Sequence, residues 1–364
     1  MNDHDLTPSP DKTSSLPLPP AERLAALRIV DANANRAAEG LRVVEEYCRF
    51  RLNDKHLSER CKGMRHALAE IVAHMPAAEL NASRNSLLDV GAEIELASED
   101  RRDSLENVAA ASWQRVQQAL RSIEEYGKLL SPVLAQRAKQ LRYESYAIAK
   151  TCMTTADSQE RMSAVRLYVL VDGGATRTAL AQRVRELVAA GVQAIQLRDK
   201  QLPDRELLAR ARIVREETQG TATLFIVNDR PDLAALAGAD GVHVGQDELS
   251  VADVRQIVGP AMLIGVSTHD IDQARQAVLD GASYLGCGPT FPSGTKQFDH
   301  FPGLEFLRQV AAEISLPALA IGGITLDNLP QVLATGVNRI AVSGAIDRAV
   351  PQQSAVALIA ALGQ

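Results

Sequence analysis

The chain has little of what marks several protein classes. Its 364 residues include four cysteines, Cys48, Cys61, Cys152 and Cys287. They lie far apart in sequence with no CxxC pair, which suggests neither a zinc site nor a disulfide framework and reads as reduced thiols in the cytoplasm. No lysine or arginine block stands out and the formal net charge is -6, so neither nucleic acid nor an anionic membrane surface is expected as the main partner. Small-molecule substrates fit better. No apolar run approaches the roughly 20 residues that a membrane-spanning helix needs. The opening MNDHDLTPSPDKTSSLPLPP is polar, acidic and proline-dense, the reverse of a signal peptide, and residues 1–20 are expected to be a disordered tail. A Walker-type lysine loop is also missing. None of these features fixes an oligomeric state, and a homo-oligomer remains open.

What is present falls into two parts, as the length leads one to expect. From Ala21 to about Lys150, Leu, Ala, Arg and Glu dominate with helical periodicity, giving an all-α domain over 21–150. The stretch TCMTTADSQERMSA, residues 151–164, is polar without a convincing apolar period and reads as a linker. From residue 165 to 364, eight short β-branched runs alternate with amphipathic segments: RLYVLVDG, AIQLRDK, TLFIVND, GVHVGQ, LIGVST, YLGCGPT, ALAIGGIT and RIAVSGAI. Several segments end in a glycine suited to a left-handed helix cap, among them Gly191 and Gly281. Eight βα units in about 200 residues point to an α/β fold, a closed (β/α)8 barrel, with a doubly wound open sheet as the alternative.

In such barrels chemistry gathers where strands end. Strand two ends in Gln196, Arg198 and Lys200, which period two places on one face. Strand three ends in Asn228 and Asp229, and strand four runs into Asp247 and Glu248, so carboxylates come from adjacent loops. Such oxygen donors suit Mg²⁺ shared with a substrate phosphate, although an Asp at either place could simply cap the next helix. Strand six leads into GPTFPSGTK, where Ser293, Gly294 and Thr295 precede Lys296 in an anion-friendly loop. Strands seven and eight end in Gly322-Gly323 and Ser343-Gly344, where barrels of this kind hold phosphate on loop amides and a helix N-terminus. His243 reads as a satisfied barrel-lining residue rather than a base.

The motifs QLRDK, VNDR, HVGQDE, GVST, GPTFPSGTK, IGGIT and VSGAI, in this order on successive strand ends, closely resemble those of the thiamine phosphate synthase family. The resemblance implies that a pyrimidine diphosphate and a thiazole phosphate, carboxylated or plain, join to give thiamine phosphate and diphosphate. It implies that Gln196, Arg198, Lys200, Asn228, Ser267 and Lys296 hold the pyrimidine diphosphate, with Arg198, Lys200 and Lys296 acting in catalysis. One Mg²⁺ would sit on Asp229 and Glu248, and Ser293, Thr295, Gly323, Ser343 and Gly344 would hold the thiazole phosphate. This chain reads Gln246-Asp247-Glu248 where the family usually has Gln-Glu-Asp, so Asp247 is an alternative ligand, and Ser293 stands where the family often has threonine. The related thiazole tautomerases are the rival reading, but would not need the metal-and-diphosphate set of Asp229, Glu248, Lys200 and Lys296.

The helical part carries one phrase twice, GLRVVEEY at 40–47 and ALRSIEEY at 119–126. On a helical wheel Asn35, Glu39, Arg42 and Glu46 share one side and Ile29, Gly40, Val44 and Tyr47 another. A surface ladder of Glu and Arg explains the polar side. Between the copies, SRNSLLDVGAEIE at 83–95 offers Arg84, Asp89 and Gly91 as an anion-binding loop. The whole region resembles the helical module fused ahead of thiamine phosphate synthase in some bacteria. That resemblance implies phosphorylation of the pyrimidine monophosphate from ATP. A non-catalytic bundle that dimerises the enzyme or recruits a partner is the opposing reading.

Overall fold

The computed structural model of the chain describes residues 18–83, 102–292 and 302–363. The expected tail up to residue 17, the Arg84, Asp89 and Gly91 loop, and Ser293, Gly294, Thr295 and Lys296 lie outside these residues.

The helical unit begins at α1 (Pro20–Glu46), with proline in its first turn where a missing N–H costs nothing. The expected tail therefore stops short of Pro20. After a π-helical turn (Tyr47–Leu52) come α2 (Lys55–Ala73), α3 (Ala77–Ser83), α4 (Leu105–Gly127) and α5 (Pro132–Arg161). The repeated phrase lies on α1 and α4, which pack against each other. Asn33, Ala37, Gly40 and Val44 are buried on one, Ser112, Val116, Ala119 and Ile123 on the other. A Cβ at Gly40 would lie 2.7 Å from Val116 Cγ2 and 3.1 Å from the Ser112 carbonyl oxygen, so only glycine lets the backbones approach this closely. Asn35, Glu39, Arg42 and Glu46 are exposed and Gly40, Val44 and Tyr47 buried, as the wheel has them, while Ile29 is half-buried.

Within each copy the two glutamates have different main partners, although Glu124 also meets Arg121 on its own helix at 3.2 Å. The second joins the surface ladder, Arg42 to Glu46 at 3.1 Å and Arg121 to Glu125 at 2.7 Å. The first ties its helix to the next one, Glu45 to Arg65 on α2 at 3.0 Å and Glu124 to Arg142 on α5 at 2.8 Å. The repeat is thus a pair of helical hairpins, each closed by one ion pair.

The barrel strands are β1 (Leu167–Val171), β2 (Ala194–Leu197), β3 (Leu224–Asn228), β4 (Gly241–Val244), β5 (Leu263–Thr268), β6 (Tyr284–Cys287), β7 (Ala318–Ile321) and β8 (Ile340–Val342). All neighbours are parallel, and β8 returns to β1, closing the sheet. The helices α6 (Arg177–Ala189), α7 (Asp204–Thr218), α8 (Pro231–Ala237), α9 (Val251–Val258), α10 (Ile271–Asp280), α11 (Gly303–Glu313), α12 (Leu329–Leu333) and α13 (Pro351–Leu362) alternate with the strands. Alternate strand residues fill the interior, where Tyr168, Ala194, Ile226, Leu263, Tyr284, Leu319 and Ala341 form one packed cluster.

The expected linker is corrected. Residues 151–161 are the last three turns of α5, and Thr151, Cys152, Thr155, Ala156 and Ser158 are buried. Their spacing is helical, but small polar residues rather than large apolar ones carry it, and Thr151 Oγ1 donates to the Ala147 carbonyl one turn back at 3.0 Å. Just beyond, Met162 and Val165 join the barrel's interior cluster. These residues close the floor of the barrel, the end where strands begin. The other contacts between the units agree. Gln159 Nε2 donates to the Ser315 carbonyl at 3.2 Å, Arg161 to the Ala261 carbonyl at 2.8 Å, and the Ser315 amide to Asp54 at 2.8 Å. Ser315 precedes β7 and Ala261 precedes β5.

The cysteines are not all apart in space. Cys48 Sγ lies 3.4 Å from Cys152 and 3.9 Å from Cys61, on three segments that meet beside the barrel floor. All four are free and buried.

Candidate active site

The opposite end, where strands finish, carries the polar residues. Gln196 sits in β2, and the β1 carbonyl of Val171 takes the Arg198 amide at 2.8 Å, extending the strand pairing one residue further. Asp199 then folds the loop: one oxygen accepts from the amides of Gln201 (2.9 Å) and Leu202 (3.1 Å), the other from Gly173 (3.1 Å). Burial pushes the Asp199 carboxyl up, but these backbone bonds outweigh it and the net shift is downward. Arg198 and Lys200 are thereby presented on either side of a fixed anchor. Sequence reading passed over Asp199 because period two puts it on the face opposite Gln196, Arg198 and Lys200.

Asp229 has φ 59°, a left-handed conformation that Asp tolerates better than most residues, and its amide donates to the His243 carbonyl at 2.8 Å. This turn brings its carboxylate to Lys200, Oδ2 to Nζ 3.0 Å, while Glu248 Oε1 lies 3.7 Å from the same ammonium. Two carboxylates from adjacent loops thus converge on one cation, the arrangement a hard divalent ion with oxygen ligands could also take. The Glu248 carboxylate lies over Gly245, its Oε2 2.3 Å from where a Cβ would stand. Asp247 is exposed.

Deeper in the mouth runs a chain of hydrogen bonds. Gln196 Nε2 donates to Tyr168 Oη at 2.8 Å, Tyr168 Oη lies 3.0 Å from Tyr284 Oη, Tyr284 Oη 3.2 Å from His243 Nδ1, and His243 Nε2 3.0 Å from Ser267 Oγ. Tyr284 crosses the barrel because β5 has Gly265 beneath it, where a Cβ would lie 2.1 Å from the tyrosine ring. Burial drives the His243 pKa down to about 4, with Asp229 opposing and Arg198 assisting. An edge of the ring still faces the mouth, but the ring is neutral near pH 7. His243 is the satisfied lining residue expected. Tyr168 and Tyr284 were missed, because a mid-strand tyrosine reads as core until its partners are known.

On the far rim the loops after β6 and β7 are pinned together. The Thr290 amide donates to the Ile321 carbonyl at 2.9 Å and the Phe291 amide to Gly322 at 3.0 Å, while Asn328 Nδ2 holds the Gly323 carbonyl at 2.8 Å. Ser343 and Gly344 are exposed beside them, with open space where a Gly344 Cβ would stand. His269 is spent on the loop, its Nδ1 beside the Gly288 carbonyl at 2.5 Å. The structure therefore gathers Gln196, Arg198, Lys200, Asn228, Asp229, Glu248 and Ser267 on one side of the mouth and Gly323, Ser343 and Gly344 on the other. Among the described residues no group of three or more His, Cys, Asp or Glu is placed to hold a metal ion.

The helical unit shows a cavity of about 390 Å³ at its end away from the barrel, with Leu27, Ile71, Met75 and Leu134 in its wall and Arg23 and Arg137 at its rim. A second, of about 330 Å³, opens at the seam of Arg49, Lys55 and Lys62 with Ala311 and Ala312.

A closed eight-stranded barrel with cations and carboxylates at one side of its mouth and glycine loops at the other defines a class: enzymes that bind phosphorylated small molecules at the strand ends. Comparison with known proteins narrows it. The family described as thiamine monophosphate synthase matches residues 167–346, and the ThiD2 family matches residues 28–151. A thiamine-phosphate synthase of Rhodopirellula baltica is 47% identical over 90% of this chain and 89% of its own length. One of Gloeobacter violaceus is 42% identical over 89% of this chain and 93% of its own. Among solved structures, thiamine phosphate pyrophosphorylase from Pyrococcus furiosus is 34% identical, with a TM-score of 0.49 over 55% of this chain and 96% of that one. The chain belongs to the thiamine-phosphate synthase family and carries an N-terminal region of the ThiD2 family.

Proposed function

We propose that the barrel joins hydroxymethylpyrimidine diphosphate to a thiazole phosphate in the cytoplasm, and that the helical unit makes the diphosphate by phosphorylating the pyrimidine monophosphate with ATP. The observation that carries the barrel's part is the convergence of Arg198, Lys200, Asp229, Glu248 and Ser267 on one side of the mouth. The pyrimidine methylene–oxygen bond breaks with its electron pair on the departing diphosphate. The thiazole nitrogen then gives its lone pair to that methylene carbon, so no protein nucleophile is needed. Diphosphate leaves only when its charge is met, and Arg198, Lys200 and Lys296 would meet it. Asp229 and Glu248, with Asp247 as the alternative, fit Mg²⁺, which would supply further neutralisation of the leaving group. Ser293, Thr295, Gly323, Ser343 and Gly344 would hold the thiazole phosphate, away from the diphosphate.

The helical unit's part rests on its family membership. The second reading, a structural or dimerising bundle, draws support from α5, whose last turns close the barrel floor. One experiment separates them. Full-length protein is given pyrimidine monophosphate, ATP, Mg²⁺ and thiazole phosphate, beside a control given the ready-made diphosphate. Thiamine phosphate in both means kinase and synthase in one chain; product only in the control leaves the synthase and removes the kinase. A control without product overturns the barrel reading.

A further inference from the structure

The hydrogen-bond chain inside the barrel has a direction. The Gln196 amide N–H occupies one lone pair of Tyr168 Oη. Tyr168 has a single proton, and among the described residues Tyr284 Oη is its remaining partner. Tyr284 in turn has one proton, directed to His243 Nδ1. A neutral imidazole whose Nδ1 accepts carries its proton on Nε2, which donates to Ser267 Oγ. The only proton not committed along this path is that of Ser267. Gln246 Nε2 holds the Ser267 carbonyl, fixing the backbone from which the hydroxyl projects. The reverse direction would begin with the Gln196 carbonyl accepting from Tyr168. It would end with Ser267 giving its proton to His243 and turning only lone pairs toward an anion.

We propose that Tyr168, Tyr284 and His243 are positioning residues that, with Gln196 at the head of the chain, fix the Ser267 hydroxyl as a hydrogen-bond donor to the diphosphate of the pyrimidine substrate. This rests on the synthase reading for the identity of the anion, but the proton positions belong to the free protein. A donor held in place before the substrate arrives needs no reorganisation as charge builds on the leaving oxygen. Packing explains why two tyrosines fill a barrel; it does not explain why their hydroxyls are in file between an amide and a histidine.

The test is the tautomer of His243, read by nitrogen-15 NMR on histidine-labelled full-length protein and assigned by loss of the signal in His243→Gln. The expected wild-type form has the proton on Nε2, and Tyr284→Phe, which removes the donor to Nδ1, shifts it to a mixture. In parallel, Tyr284→Phe lowers kcat/KM for the pyrimidine diphosphate roughly 10- to 100-fold, as loss of one oriented donor to a charged group does. The KM for thiazole phosphate stays unchanged. His243→Gln, whose carboxamide can still donate to Ser267, keeps most of the activity that His243→Ala loses. A proton on Nδ1 in the wild type overturns the proposal, as does a Tyr284→Phe protein with unaltered tautomer and kinetics. Failure of the wild type to form thiamine phosphate would instead remove the synthase reading and leave the tautomer to be judged alone.

Discussion

The barrel and the helical unit use ion pairs in opposite ways. In the barrel mouth Lys200 lies between Asp229 and Glu248 with more than half of its side chain exposed, a cluster open to exchange partners with a ligand. In the helical unit Glu124 and Arg142 are paired with 6% and 9% of their side chains exposed, closed to any ligand and committed to joining α4 to α5. A charge pair at a strand end of a barrel informs on chemistry. The same pair between two helices informs on packing.

The sharpest way to break that contrast is to remove one partner of each. Arg142→Ala leaves the nearly buried Glu124 with the exposed Arg121, at 3.2 Å, as its remaining partner among the described residues and is expected to cost about 1.5–3 kcal/mol, read as a fall in the denaturant midpoint. Arg65→Ala, the equivalent change in the other hairpin, acts on a pair with 20% and 30% of its side chains exposed and is expected to cost about 1 kcal/mol or less. Equal losses would mean that the two hairpins are not built on different degrees of burial.

In the mouth the expected effect falls on rate instead. Lys200→Ala is expected to lower kcat for thiamine phosphate formation by roughly 100- to 1000-fold, in line with loss of one group that stabilises developing charge. Its unfolding midpoint should hardly move, because the exposed ammonium holds little of the fold. A large drop in stability without a rate effect would make Lys200 a structural counterion like Arg142.

A pH series probes the mouth more gently. His243 has a folded pKa of about 4 against an ordinary value of 6.5. The unfolded chain therefore binds the proton first as pH falls, and stability is complete above about 6.5 and drains away toward 4. The full shift amounts to at most about 3 kcal/mol, less what the open edge of the ring allows water to screen. Asp229 and Arg198 are the charged groups acting on the ring. His243→Gln should flatten the unfolding curve between those two pH values; an unchanged slope would assign it to other groups, such as buried His56, whose pKa burial also lowers.

How much of this was legible in sequence follows the same division. The eight strands and the polar residues at their ends could be read, because β-branched runs and period two are local signals. Of the site residues that escaped, Tyr168 and Tyr284 act through partners 28 to 116 residues away, and Asp199 joins its local turn to Gly173, 26 residues back, which no local pattern carries. The linker was misread because α5 buries Thr, Cys, Ala and Ser against the barrel floor, and a periodicity of small polar residues resembles none. In the repeat, the outward ladder was plain, but Glu45 and Glu124 found their partners on other helices.

The arrangement of the two units also bears on how they would cooperate. The mouth lies where strands end, and the helical unit is fastened where they begin, through Gln159, Arg161 and Asp54. Between them the barrel interior is filled from Met162 to Tyr284 by packed side chains, so nothing the size of a pyrimidine diphosphate passes through. The larger helical cavity is farther still, since Leu134 on its wall and Gln159 at the barrel are 25 residues apart on one helix, about 38 Å. A diphosphate made in that cavity would have no passage through the barrel to its mouth and would travel through solvent. Labelled pyrimidine monophosphate, supplied with ATP and thiazole phosphate, should yield thiamine phosphate whose label is diluted fully by added unlabelled diphosphate. Retention of label would demand a path around the outside of the barrel, and would make the fusion a conduit. Complete dilution leaves the fusion with two physical effects, equal amounts of the two units and a barrel floor closed by the last turns of α5.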